Sequence, residues 1–153
     1  MKVYLATDHA GFAHKNAVAD WLRGEGFVVV DYGADVYDVT DDYTDFIAKA
    51  AHSVSKNPGH KAVIFGGTGQ GEAMLANKFP HVRATVLYSD TSDIVELGRT
   101  HNDSNILSIG ARFLSVDDTK KHVWNWLQLA GPTDARHQRR IAKLDALSNN
   151  LHS

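Results

Sequence analysis

Short apolar runs alternate with stretches of helical periodicity along almost the whole chain, and this alternation limits the fold more than any other feature. KVYLAT (2–7) is followed by Phe12, Ala13, Ala17, Val18, Trp21 and Leu22 at helical spacing, and Gly24 and Gly26 close that helix. FVVVDYG (27–33) is a β-branched run. Near 45–56, Phe46, Ile47, Ala50, Ala51 and Val54 share one helical face. KAVIFGG (61–67) reads as a third strand, and the helix after it carries Met74 and Leu75. RATVLY (83–88) is the fourth. DTSDIVELGRTH (90–101) follows as a helix, with acids in its first turn and Arg99 and His101 in its last, as the helix dipole favours. NILSIGA (105–111) is the fifth strand. SVDDTKKHVWNWLQLA (115–130) opens with a capping pattern from Ser115 to Asp118. After GPTD, ARHQRRIAKLDAL (135–147) forms the last helix.

Strands separated by helices of this length pair in parallel through right-handed crossovers. Their continuous apolar character requires cover on both faces. The pattern predicts an α/β protein: an open, doubly wound, five-stranded parallel sheet in a three-layer sandwich of flavodoxin-like order, with an extra C-terminal helix. A length of 153 residues fits one domain, 1–153, with 146–153 as a polar tail. Composition removes several function classes. With 43% hydrophobic and 22% charged residues the chain can build a core. A formal charge of −2 gives no general affinity for nucleic acid. The absence of cysteine excludes disulfides, thiolate metal sites and a thiol nucleophile. No stretch is long and apolar enough to span a membrane. MKVYLATDHAG reaches Asp8 and His9 too early for a signal peptide, so a soluble, cytoplasmic protein is expected.

Ligands of doubly wound sheets sit at the carboxyl ends of the strands, near the switch in strand order. There the third strand runs into GGTGQGE, four glycines in six residues and then Glu72. The loop offers free backbone N–H groups and leads into a helix, an arrangement suited to an anion. The plain alternative is a tight strand-to-helix turn. It is not a Walker loop, because Glu72 stands where lysine is needed. Nor is it a dinucleotide fingerprint, because the third glycine is missing. An anion-binding loop beside a carboxylate suits one chemistry: a base takes a proton from the carbon next to a carbonyl, and amide donors hold the resulting enediolate oxygen. Glu72 would be that base. Alone, it could equally be a first-turn glutamate that favours its helix.

Other polar residues fall on the same rim. Asp8 and His9 follow the first strand, and Arg112 follows the fifth. Arg136 and Arg140, four apart, share a face of the last helix, as a solvated helix face also would. His101 and Asn102 end a helix, where a histidine is stabilising whatever its function.

TDHAGF, GGTGQGEAMLANK, RTHNDSNILSIGAR and ARHQRR follow one another in the order and spacing of the ribose-5-phosphate isomerase B family, which includes the galactose-6-phosphate isomerase subunits. The chain resembles that family over about residues 2–141. The resemblance implies aldose–ketose isomerisation of a phosphorylated sugar through an enediol, without metal or other cofactor, on a flavodoxin-like fold in a dimer or tetramer. It implies Asp8 as a ligand of the sugar hydroxyls that assists ring opening, and His9 as a phosphate ligand. Gly67, Thr68, Gly69 and Gly71 resemble the anion hole, His101 the acid–base of ring opening and Asn102 a sugar contact. Arg112, Arg136 and Arg140 resemble ligands of phosphate and substrate, and Tyr43 a sugar-site tyrosine in a motif where Thr44 replaces the usual proline. Many members carry a cysteine base at the position of Gly66. In another branch a glutamate follows the loop, as Glu72 does, and neutral-pH catalysis would require its partial desolvation.

Three functions are consistent with this reading. The first is interconversion of ribose 5-phosphate and ribulose 5-phosphate. The second is the same chemistry on allose 6-phosphate, galactose 6-phosphate or a tetrose phosphate. The third is a non-catalytic phosphosugar- or flavin-binding module on the same fold. Chain direction adds an expectation about assembly. His101, Asn102 and Arg136 end or follow helices that return from the glycine-loop rim, so they should lie at the far end of the sheet. A site that uses both ends would be shared between the subunits of a homodimer or tetramer.

Overall fold

The computed structural model describes residues 1–151. Eleven regular elements follow one another: β1 (Lys2–Thr7), α1 (Phe12–Gly24), β2 (Val28–Asp31), α2 (Tyr43–Lys56), β3 (Lys61–Gly66), α3 (Gln70–Ala76), β4 (Ala84–Leu87), α4 (Ser92–Thr100), β5 (Ile106–Gly110), α5 (Val116–Gln128) and α6 (Ala135–Leu151). A single 3₁₀ turn at His9–Gly11 precedes α1. Local signals act where the sequence places them. Phe27 N–H returns to Leu22 O at 3.0 Å beyond α1, and Gly26 beside it takes φ +86°. Ser115 Oγ accepts from Asp118 N at 3.0 Å and donates to its Oδ2 at 2.7 Å, which starts α5. Thr44 occupies the second position of α2, within the first turn where a proline would also fit, so its presence leaves the helix start intact.

All five strands are parallel, in the order β2-β1-β3-β5-β4. The doubly wound, flavodoxin-like architecture is as expected, with one departure: β4 and β5 are exchanged relative to the flavodoxin order. Burial explains the exchange. Every residue of β5 is buried, including Ser108, whose hydroxyl donates to Gly69 O at 2.6 Å; β4 is only partly covered and tolerates the edge. The handedness rule then moves α4. The crossovers β2→β3 and β3→β4 travel outward and put α2 and α3 on one face. The crossover β4→β5 travels back, so α4 joins α1 and α5 on the other.

Two cores result. Val18, Ala19, Leu22, Val95, Val123, Trp126 and Leu127 cover one face through Leu5, Phe65 and Ile109. Ile47, Ala50, Ala51, Val54 and Ala76 cover the other through Tyr4, Ile64 and Ile106. The last helix joins neither. α6 has no buried residue and leaves Leu144, Leu147 and Leu151 exposed at 53%, 58% and 75%. The sequence reading of 146–153 as a polar tail is corrected here: the helix runs on to Leu151, and those leucines, three and four apart, form one stripe along it. His152 and Ser153 lie outside the described residues. No helix among the described residues is long and apolar enough to cross a membrane.

Candidate active site

The direction in which successive strands are added to the sheet reverses between β1 and β3, and the registers bring three strand ends level. Thr7 pairs with Phe65, and Gly66 with Gly110. Asp8, the glycine loop and Arg112 therefore meet at one rim. Each of the four glycines is there because a neighbour takes the space of its side chain. A Cβ on Gly66 would overlap the carboxylate of Glu72, which folds back over the end of β3. On Gly67 it would come within 2.9 Å of the Arg112 guanidinium, and on Gly71 within 2.9 Å of Tyr43 Oη. Gly69 adopts φ +76° against the backbone of Ile109 and Gly110, a conformation and a closeness that only glycine allows at low cost. Thr68 is exposed at the tip. Its Oγ1 accepts from Gln70 N at 3.3 Å, which leaves its own hydrogen to donate.

Glu72 is 5% exposed. Burial pushes its pKa up, its backbone amide opposes this, and the negative charge of Asp8 adds a smaller rise. Asp8 is also buried. Its Oδ1 accepts from Ala10 N at 2.9 Å and caps the 3₁₀ turn, so one oxygen remains for a ligand. His9 Nδ1 lies 2.6 Å from Asp41 Oδ1. That hydrogen bond, and after it the charges of Asp8 and Asp41, raise the His9 pKa, against desolvation and the charge of Arg112. Asp8, His9 and Asp41 form the one group among the described residues with metal-ligand spacing, their atoms within 4.8 Å. The Arg112 charge beside them disfavours a cation and suits an anion.

The other expected residues are elsewhere. His101 and Asn102 follow α4 in a turn at the amino ends of the strands. That turn is held by Arg99, which donates to Asp103 Oδ1 and Ser104 O, both at 2.7 Å, and by Arg83, which reaches Asp103 at 2.9 Å. α6 docks at the same end, with Arg83 3.3 Å from Asp145, and starts where Asp134 Oδ1 accepts from Arg136 N at 2.7 Å. The His101 ring stacks on His137 at 4.2 Å and 13°. Desolvation, and then the positive charges of His101, Arg136 and Arg140, push the His137 pKa down. A strand of five residues separates this cationic cluster from Glu72, a distance of roughly 16 Å. One chain thus brings together Asp8, His9, Tyr43, Gly67, Thr68, Gly69, Gly71, Glu72 and Arg112, but not His101, Asn102, Arg136 or Arg140.

The sequence reading passed over Asp41 and His137. Asp41 sits among four aspartates within eight residues (35–42), which hide it. His137 stands next to Arg136 in ARHQRR, and its value emerges only from the ring stacked on it.

The sequence matches the Ribose/Galactose Isomerase family over residues 3–144. It is 36% identical to ribose-5-phosphate isomerase B of Mycobacterium tuberculosis over 141 residues, 92% of this chain and 86% of that one. The fold is similar to ribose-5-phosphate isomerase B from Mycoplasma genitalium with bound ribulose-5-phosphate, with a TM-score of 0.91, 34% identity and coverage of 97% and 96% of the two chains. The enzyme of that name from Clostridium thermocellum superposes with a TM-score of 0.90 at 33% identity, covering 99% of each chain. Matched over nearly its full length in both sequence and fold, the chain belongs to the ribose/galactose isomerase family.

Proposed function

We propose that the protein interconverts ribose 5-phosphate and ribulose 5-phosphate through an enediolate, with Glu72 as the base. The observation that carries this is the Glu72 carboxylate, buried in the gap left by Gly66 at the mouth of an amide-lined loop, with its basicity raised by burial and by Asp8. In the open-chain aldose, Glu72 takes the C2 proton. The electron pair forms the C1–C2 double bond, and the carbonyl electrons move to O1. The loop amides and the Thr68 hydroxyl donate to the enediolate oxygens. Glu72 returns its proton to C1 and a proton passes from O2 to O1, which leaves a ketone at C2. Asp8 and Tyr43 hold sugar hydroxyls, and His9 and Arg112 face the phosphate.

Ring opening and the rest of the phosphate binding fall to a second subunit in this proposal. His101 and Asn102 enter the neighbour's site, and Arg136 and Arg140 complete its phosphate pocket. Two observations support a homodimer or a multiple of one. The cationic cluster stands a strand length from its own loop, and α6 presents an exposed leucine stripe. The experiment is proton NMR in D2O with ribose 5-phosphate. Loss of the C2 proton signal with appearance of ribulose 5-phosphate is expected. Absence of turnover of this sugar, with its C2 proton signal intact, overturns the proposal.

A further inference from the structure

We propose that Asp41 is the positioning residue of the phosphate end of the site: one carboxylate oxygen clamps His9 through both its ring Nδ1 and its main-chain amide, so that Nε2–H is presented to the ligand. The inference rests on the reading of this rim as a phosphosugar site. Asp41 Oδ1 stands 2.6 Å from Nδ1 and accepts from His9 N at 3.1 Å. Two bonds to one atom hold both the ring and the backbone of a residue that would otherwise choose among rotamers. The Asp41 side chain is 10% exposed, and its Oδ2 is buried without a hydrogen-bond partner. A carboxylate so placed is tolerated when a positive charge compensates it. An imidazolium supplies that charge, with Nδ1–H spent on Asp41 and Nε2–H, across the ring, left for an anion. The other charged groups facing His9 are Asp8, Asp38 and Arg112; the two acids favour the imidazolium and Arg112 opposes it. A phosphate dianion between His9 and Arg112 removes that opposition. The loop that carries Asp41 also packs Tyr37 near the ring, its centroid 6.3 Å from that of His9 and 5.9 Å from that of Phe12, both in T-shaped contact.

The test follows the His9 ring by NMR in the intact protein and in Asp41→Asn, with inorganic phosphate as probe. In the intact protein both ring nitrogens should be protonated at neutral pH, and the His9 resonances should shift on addition of phosphate. In Asp41→Asn the ring should titrate at lower pH. KM for ribose 5-phosphate and the inhibition constant of inorganic phosphate should rise together by about 10-fold, with kcat changed less than about 3-fold. Asp41→Glu should recover part of the loss. The proposal is overturned if His9 in the intact protein titrates at or below the ordinary histidine value, which needs no variant. It is also overturned if Asp41→Asn leaves the phosphate inhibition constant unchanged. A protein inactive on ribose 5-phosphate would defeat the substrate assignment alone, because the ring titration and the phosphate-induced shift would still decide the role of Asp41.

Discussion

The two ends of the sheet carry similar numbers of polar groups but hold them in opposite ways. At the carboxyl end, Asp8, Gly66, Gly69 and Glu72 are buried and locked by the core beneath them. At the amino end, His101, Asn102, Arg136 and Arg140 are exposed, on a turn and a helix anchored through Arg83, Arg99, Asp103 and Asp145. Buried groups with shifted pKa values suit proton transfer, because a dry site strengthens electrostatics and keeps the base basic. Arg136 and Arg140 are exposed, and their charged ends are open to a ligand or to another chain. The contrast is what the proposed shared site requires: a catalytic half-site at one end of each chain and, at the other, groups to complete a neighbour's half-site.

The strongest way to break this contrast is at the buried end. Glu72→Gln keeps size and hydrogen bonding but cannot take a proton, and turnover should fall roughly 10²–10⁴-fold with KM little changed, measured by steady-state kinetics. Gly66→Ala forces the Glu72 carboxylate aside, and a displacement near 1 Å should cost about 10²-fold. Near-normal turnover in Glu72→Gln would remove the carboxyl end from the chemistry.

The exposed end should respond in binding rather than in proton transfer. Arg136→Ala and Arg140→Ala should each weaken phosphosugar binding by about 1.5–3 kcal/mol, the worth of a charge-assisted hydrogen bond. KM and phosphate inhibition would rise accordingly, while folding stability stays level because neither residue is buried. Unchanged KM and phosphate inhibition would make these arginines an ordinary solvated face.

A smaller effect sharpens the same comparison. Because the Glu72 pKa is raised in the folded protein, the ionised carboxylate costs stability above that value, and the cost vanishes below the unfolded value, where both states are protonated. Glu72→Gln should therefore raise Tm at neutral pH by about 2–4 °C, corresponding to about 1 kcal/mol. The gain should disappear as pH falls into the ordinary carboxylate range. Catalysis has the same origin and the opposite sense: kcat/KM of the intact enzyme should drop as pH falls through the raised pKa, earlier than for an exposed glutamate.

Much of this was legible in the sequence, for reasons that differ by element. Strand and helix alternation survives in any order of the strands, so all five strands and six of the helical segments could be read. The exchange of β4 and β5 could not, because RATVLY and NILSIGA are equally apolar and only burial on both sides separates them. The glycine loop was legible because four glycines in six residues have few other uses. The reason for Gly66 was not, since it depends on a carboxylate six positions later that folds back onto it. The end of α6 was misread because Asn149 and Asn150 look like a tail, although Leu144, Leu147 and Leu151 keep helical spacing. Asp41 was invisible because its partner His9 lies 32 residues away.

The most direct test of the shared site mixes two crippled chains. Glu72→Gln and His101→Ala are each inactive on ribose 5-phosphate if both groups are required. After equal amounts exchange subunits, half of the dimers are mixed, and each mixed dimer holds one doubly broken and one intact site. The account predicts recovery of roughly a quarter of wild-type activity. If Glu72 and His101 served the same site from the same chain, no subunit in the mixture would carry both, and activity would stay at the level of the separate variants.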